Sequence, residues 1–94
     1  MTKLCKTSIR KALRRSWDSN GYEDVNDDWQ ACIRRNGSWL GTPPMCPYEV
    51  VLWHVDSGFE LRFGVGGCTS MTEYLDYATE RLMERLREEV RKAA

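Results

Sequence analysis

Residues 50–65 read VVLWHVDSGFELRFGV, and the organisation of the chain turns on how this stretch folds. Phe59, Leu61, Phe63 and Val65 alternate with Glu60, Arg62 and Gly64, the period-two pattern of a strand with one buried face. Val51, Trp53 and Val55 alternate with Val50, Leu52 and His54, and Asp56-Ser57-Gly58 between the two runs is a turn signal. The stretch therefore predicts a β-hairpin. A three-residue loop closed by a left-handed Gly58 pairs Val55 with Phe59, Trp53 with Leu61 and Val51 with Phe63, and puts all six on one face. A two-residue turn would set Val55 against Glu60 and turn one strand over. The expectation is the three-residue loop, with Val50, Leu52 and His54 on the outer face and His54 across from Glu60.

Towards the C-terminus, Gly64-Val65-Gly66-Gly67 leads into a helix expected from about Met71 to Lys92. Ser70 suits the N-cap, with Glu73 completing a reciprocal capping pair three residues on. Met71, Leu75, Ala78, Leu82, Leu86 and Val90 form its apolar stripe, and Glu88 and Lys92 are a favourable pair four apart. The glycine run has free amides at a helix N-terminus, but no Lys follows it as in a nucleotide phosphate loop, so it reads as a strand-to-helix turn.

Towards the N-terminus, Pro43, Pro44 and Pro47 argue against regular structure from Gly41 to Pro47. Asp28 to Leu40 fits either one helix face or a hairpin. Asn36-Gly37 favours the hairpin, which would pair Arg35 with Ser38, Arg34 with Trp39 and Ile33 with Leu40. A first helix is expected from about Thr7 to Trp17, with Ile9, Ala12, Leu13, Ser16 and Trp17 on its packing face. Thr7 or Ser8 is its expected cap, and Asn20 or Gly21 its left-handed end. The fold class is thus α+β: a single domain over residues 1–94, with a small antiparallel sheet of two hairpins between an N-terminal and a long C-terminal helix, in the order α-β-β-β-β-α. Both helices are expected on the sheet face bearing Trp53, Leu61 and Phe63.

Charge is sorted along the chain although its formal total is zero. Residues 1–17 hold Lys3, Lys6, Arg10, Lys11, Arg14 and Arg15 and no acid; residues 18–28 hold Asp18, Glu23, Asp24, Asp27 and Asp28 and no base. A basic helix before an acidic loop reads in two ways. Lys6, Arg10, Lys11, Arg14 and Arg15 form a polyanion-binding face, or that face is neutralised by the loop behind it.

Little else points to chemistry. Cys5, Cys32, Cys46 and Cys68 form no Cys-x-x-Cys pair, so free thiols are expected rather than a zinc site or disulfides. His54 is the sole histidine, and no third group completes a nucleophilic site around it. The expectation is a protein without catalytic activity, cofactor or metal. The longest apolar run near Val50 is too short to cross a membrane, and the first residues, Met-Thr-Lys-Leu-Cys-Lys, are not those of a secretory signal, so a cytoplasmic protein with no membrane partner is expected.

Residues 47–90, with Pro47-Tyr48-Glu49-Val50, a hairpin and a glycine-rich turn into a last helix, resemble double-stranded-RNA-binding domains. That family places lysines at the start of its last helix to hold phosphates; here these positions read Met71, Thr72 and Glu73, and there is no third strand between Val65 and Ser70. The resemblance fails at the residues that would carry its function, and no family is assigned from it.

The expected function is that of a small binding protein that occludes a surface of a larger macromolecule, either a protein or a ribonucleoprotein. Inhibitors of host defence carried by phages or mobile elements, anti-CRISPR proteins among them, are one such class. In this reading Glu23, Asp24, Asp27 and Asp28 mimic phosphates before a basic channel, while Trp29, Trp39, Leu52 and His54 meet an apolar cleft. Two alternatives stand beside it. One is an accessory protein that binds nucleic acid with the basic helix. The other is a structural homo-oligomer, such as a homodimer, joined through Leu75, Leu82 and Leu86 or through an exposed edge strand.

Overall fold

The computed structural model describes residues 4–35 and 47–93. It contains helix α1 (Lys6–Ser19), strands β1 (Glu23–Asp24), β2 (Trp29–Arg35), β3 (Tyr48–His54) and β4 (Glu60–Val65), and helix α2 (Met71–Ala93). The expected α+β order holds. The four strands form one antiparallel sheet in the order β1-β2-β3-β4, so each strand lies beside its neighbour in sequence.

The hairpin of β3 and β4 sits one residue away from the expected register. Leu52 faces Leu61 and Val50 faces Phe63, while Trp53 faces Glu60. The loop has four residues: the His54 amide donates to the Phe59 carbonyl at 2.8 Å, and the Gly58 amide donates to the His54 carbonyl at 2.9 Å. Gly58 is left-handed as expected, with φ of 76°. Polar side chains hold the extra residue. The Ser57 amide donates to His54 Nδ1 at 3.2 Å, and the Phe59 amide donates to Ser57 Oγ at 3.2 Å. The Val55 amide leaves the hairpin and donates to the Asp28 carbonyl at 2.9 Å. The slip exchanges the faces of β3. Val50 and Leu52 enter the core; Val51 and Trp53 turn to the other side; Val55 and Phe59 are exposed.

The core lies between the two helices and one sheet face. Ile9, Ala12 and Leu13 from α1 and Tyr74, Leu75, Ala78 and Leu82 from α2 pack with Ala31, Ile33, Val50, Leu52, Leu61 and Val65. The stripe of α2 ends short of expectation: Leu86 is half-buried and Val90 is 70% exposed. At the other end of this core, Trp17, Tyr48 and Tyr74 form one aromatic cluster, with Trp17 stacked on Tyr48 at 4.7 Å.

Helix ends follow the capping rules with shifted residues. The N-cap of α1 is Cys5, not Thr7 or Ser8, and Asn20 closes the helix in the left-handed region at φ 57°. On α2 the Glu73 amide donates to Ser70 Oγ at 3.2 Å, but the Glu73 carboxylate reaches back to the Thr69 amide, one residue earlier than the reciprocal pair requires. Lys92 pairs with Glu89, three residues away, rather than with Glu88.

The first strand is the residue pair Glu23–Asp24, within the segment read as an acidic loop. It covers only Ala31 and Gln30 on the outer edge of β2. The rest of that edge is closed by side chains from α1. The Ile33 amide donates to Ser16 Oγ at 2.8 Å, and the Arg35 amide donates to Asn20 Oδ1 at 3.2 Å. Ser16 Oγ in turn donates its single proton to the Gly21 carbonyl, and the Ile33 carbonyl lies 3.2 Å away. The outward amide of Ile33 is thus spent on Ser16. The Asn36-Gly37 turn and Ser38 to Leu40 lie outside the described residues.

Candidate functional site

Alternation along the strands sorts their side chains between the helix face and a face that no described helix covers. On that helix-free face β2 places Gln30, Cys32 and Arg34, β3 places Trp53, Val51 and Glu49 opposite them, and β4 adds Glu60, Arg62 and Gly64. Tyr22, just before β1, joins this surface. Its ring meets Trp53 edge-on at 6.0 Å, and the Arg34 guanidinium lies 5.9 Å from its centroid. Glu49 ties the cluster together. Arg34 Nε and Nη2 donate to its Oε1 at 3.2 and 2.9 Å, and Arg62 Nη1 approaches the same oxygen at 3.3 Å. Arg62 Nε also donates to Glu60 Oε1 at 3.0 Å. Gln30 Nε2 donates to Asp24 Oδ1 at 2.9 Å.

Beneath this polar and aromatic layer, Cys32 and Val51 are fully buried, although they belong to the helix-free face. Burial pushes the Cys32 thiol above its ordinary pKa. The hydrogen bond to Glu49 raises the pKa of Arg34, and the bond to Glu60 that of Arg62, so both guanidiniums remain charged. The layer is held in place by bonds among its own members, which lowers the ordering cost of meeting a partner.

The acidic segment is not a loose anionic patch. Glu23 Oε1 lies 3.5 Å from Arg15 Nε, and Ser19 Oγ donates to Glu23 Oε2 at 2.9 Å. The carboxylate of Asp24 accepts from Gln30, and its carbonyl accepts from Arg15. Asn26 Oδ1 accepts the amides of Asp28 and Trp29 at 2.8 and 3.0 Å, fixing the turn to β2. Asp27 is exposed on that turn.

The basic helix is largely neutralised, and α2 supplies half of the partners. Lys6 pairs with Glu80 and Arg10 with Asp76, while Arg14 pairs with Asp18 and Arg15 with Glu23. Lys11 is exposed and makes no ion pair among the described residues. The α1 cations therefore serve mainly to join the two helices and the start of the sheet.

The aromatic and apolar candidates are dispersed. Leu52 is fully buried in the core, so it does not meet a partner. Trp29 and His54 lie on the helix side, half-buried, with ring centroids 4.8 Å apart, and Phe59 closes the cluster 6.2 Å from Trp29. His54 faces Phe59 rather than Glu60, and its Nδ1 lies 2.7 Å from Ser57 Oγ within the loop. Trp39 is outside the described residues. Leu75 and Leu82 are used in the core, which removes them from any contact between last helices.

A cleft of about 380 Å³ lies between the end of α1 and the start of β3, lined by Trp17, Asp18, Asn20, Ile33, Arg35 and Tyr48. Among the described residues it brings no nucleophile beside a base: the charged groups there are Arg35 and Asp18, and Asp18 accepts from Arg14 at 2.6 Å. Among the described residues no three His, Cys, Asp or Glu side chains are placed to hold a metal ion, and no helix is long and apolar enough to cross a membrane. Sequence reasoning missed Tyr22, Arg34, Glu49 and Arg62. Their signal was the apolar character of both faces of residues 50–53, which implies that the second face is also partly covered. Comparison with protein families, with curated proteins and with solved structures finds no match to this chain.

Proposed function

We propose that this chain is a non-catalytic binding protein that occludes a basic surface of a larger protein, docking through the helix-free face of its sheet. The observation that carries this reading is the self-braced cluster of Tyr22, Trp53, Arg34 and Glu49 on that face. Rigid aromatic rings and arginine are the side chains that dominate the energetics of protein interfaces. The sign of the partner follows from the bonds. Arg34 and Arg62 share the Glu49 carboxylate, and Asp24 and Glu60 leave the face with an acidic excess. Asp27, exposed on the adjoining turn, adds to it. A polyanion would find no uncommitted cation there, whereas a protein surface rimmed with lysine and arginine would find complementary charge. An inhibitor of host defence that covers a nucleic-acid channel would work in this way.

The test is capture of partners from host lysate with tagged protein, with and without nuclease, using wild type, Trp53→Ala, and a variant with Arg10, Arg14 and Arg15 neutralised. The expected result is a discrete protein complex that survives nuclease, is lost with Trp53→Ala and persists when the helix is neutralised. Recovery only through nucleic acid, or capture indifferent to Trp53→Ala, overturns the reading.

A further inference from the structure

The two edges of the sheet are treated differently. The outer edge of β2 is closed by β1, Ser16 and Asn20. Among the described residues nothing closes the outer edge of β4. The His54 amide donates to the Phe59 carbonyl, which fixes the phase of the antiparallel ladder. Phe59, Leu61, Phe63 and Val65 then turn their backbone groups towards β3, and Glu60, Arg62 and Gly64 turn theirs outward. Among the described residues none of these outward amides or carbonyls has a partner. A free strand edge is a template for another strand, and folded proteins usually block it with proline, a bulge or like charges. Residues 60–65, ELRFGV, contain no proline, and the two charges they carry are opposite in sign.

We infer that β4 pairs antiparallel with β4 of a second copy, about a two-fold axis at Leu61, joining two four-stranded sheets into one. The register follows from the residues. In such a pair outward-facing positions must meet outward-facing positions, so the axis passes through a residue. An axis at Arg62 would set Arg62 against its own copy, and like charges directly opposite one another are destabilising. An axis at Leu61 sets Glu60 against Arg62 of the second copy, and by symmetry Arg62 against Glu60, both on the helix-free face. On the helix face it sets Leu61 against Leu61 and Phe59 against Phe63, again twice. The strand is thus complementary to itself in charge and in apolar character, as an isologous contact requires. It would cover Phe59, which is 37% exposed in the single chain. The bond from Arg62 to Glu60 is exposed and costs little to rearrange, and the Glu49 carboxylate keeps its bonds to Arg34 when Arg62 moves.

The test is mass in solution by light scattering and sedimentation across protein concentration. It uses wild type, Glu60→Arg, Arg62→Glu and an equimolar mixture of the two variants. Wild type is expected to associate to twice the mass of one chain. Each variant alone sets like charges opposite each other at both ends of the pair and is expected to be monomeric. In the mixture the arginine introduced in one variant meets the glutamate introduced in the other, and the retained Arg62 of the first meets the retained Glu60 of the second, so the dimer is expected to return. Amide exchange on wild type needs no variant: Glu60 and Arg62 should become protected as concentration rises, while Gly64, beyond the central pairs, exchanges fast. A wild type that stays monomeric, a Glu60→Arg chain that still dimerises, or a mixture that does not re-form the dimer overturns the inference. None of these outcomes bears on the Trp53 docking face, whose test reads capture and not mass.

Discussion

Residues 50–53 of β3 are apolar on both sides of the sheet, and the two faces they serve are covered by different means. On the helix face Ala31, Ile33, Val50, Leu52, Leu61 and Val65 are sealed by α1 and α2, and what covers them is hydrocarbon. On the other face Cys32 and Val51 are equally buried, yet their neighbours on the sheet are Tyr22, Trp53, Gln30 and the guanidiniums held by Glu49. The first arrangement contributes stability and offers nothing to a partner. The second keeps a small apolar centre dry while presenting aromatic rings and directed charge to solvent. In a chain of this size, with little area to bury, that division separates the part that holds the fold from the part available for recognition.

The comparison can be broken most directly at the two adjacent residues that the register assigns to opposite faces. Leu52→Asp places an unpaired carboxylate in the core and is expected to abolish folding, a loss of about 5 kcal/mol or more. Trp53→Asp places the same charge on a half-buried surface position and should leave a cooperative unfolding transition at reduced stability. Circular dichroism with thermal denaturation reads both. If Trp53→Asp unfolds the chain and Leu52→Asp is tolerated, the faces are the other way round.

That pair of substitutions also marks where the sequence was readable and where it was not. The fold class, both helices, strands β2 to β4 and the left-handed residues Asn20 and Gly58 followed from periodicity and from the backbone needs of caps and turns. The register of β3 did not, because Val50, Val51, Leu52 and Trp53 give either face an apolar pair, and the deciding forces were the polar bonds of Ser57 and the reach of Val55 to Asp28. The first strand was hidden by its charges: Glu23 and Asp24 read as loop, but Arg15 and Gln30 bind them locally. The basic stretch before Trp17 looked like a binding face because Asp76 and Glu80, its partners, are 66 and 74 positions away in sequence from Arg10 and Lys6. Which aromatic rings face outward depended on the register, so Trp53 and Tyr22 took the place of Leu52 and His54.

A second test bears on how β2 is anchored between the faces. Ser16 is fully buried, and its hydroxyl accepts the Ile33 amide while donating to the Gly21 carbonyl. Ser16→Ala leaves that amide buried without a partner, and the expected cost is about 1–3 kcal/mol in denaturant unfolding. Because Ile33 and Cys32 are adjacent and point to opposite faces, loosening here should disturb both, with Cys32 becoming easier to label. A cost near zero would mean that β3 alone sets the position of β2.

The smallest expected effect on stability, and the sharpest reading of the helix-free face, comes from thiol reactivity. Cys5 is exposed at the start of α1, and hydrogen bonds from Ser8 and Thr7 to its sulfur lower its pKa. Since the thiolate is the nucleophile, Cys5 should alkylate fastest of the three described cysteines, with a rate that levels off at lower pH than that of an ordinary thiol. Cys68 is half-buried, and burial together with the nearby Glu73 charge raises its pKa, so its rate should level off at higher pH than that of an ordinary thiol. Cys32 is fully buried and its pKa is raised by desolvation. Its sign is that of a group kept protonated by folding: the contribution is intact below the unfolded thiol value and declines as pH rises through the folded one. Cys32 should therefore resist alkylation in the native state at neutral pH and react when denaturant opens the chain, as peptide mapping by mass spectrometry would show. Rapid native labelling of Cys32 would mean that the layer of Tyr22, Trp53, Arg34 and Arg62 opens freely. The face would then be a mobile cover, and its complementarity to a partner would have to form on contact, with the ordering cost that this carries.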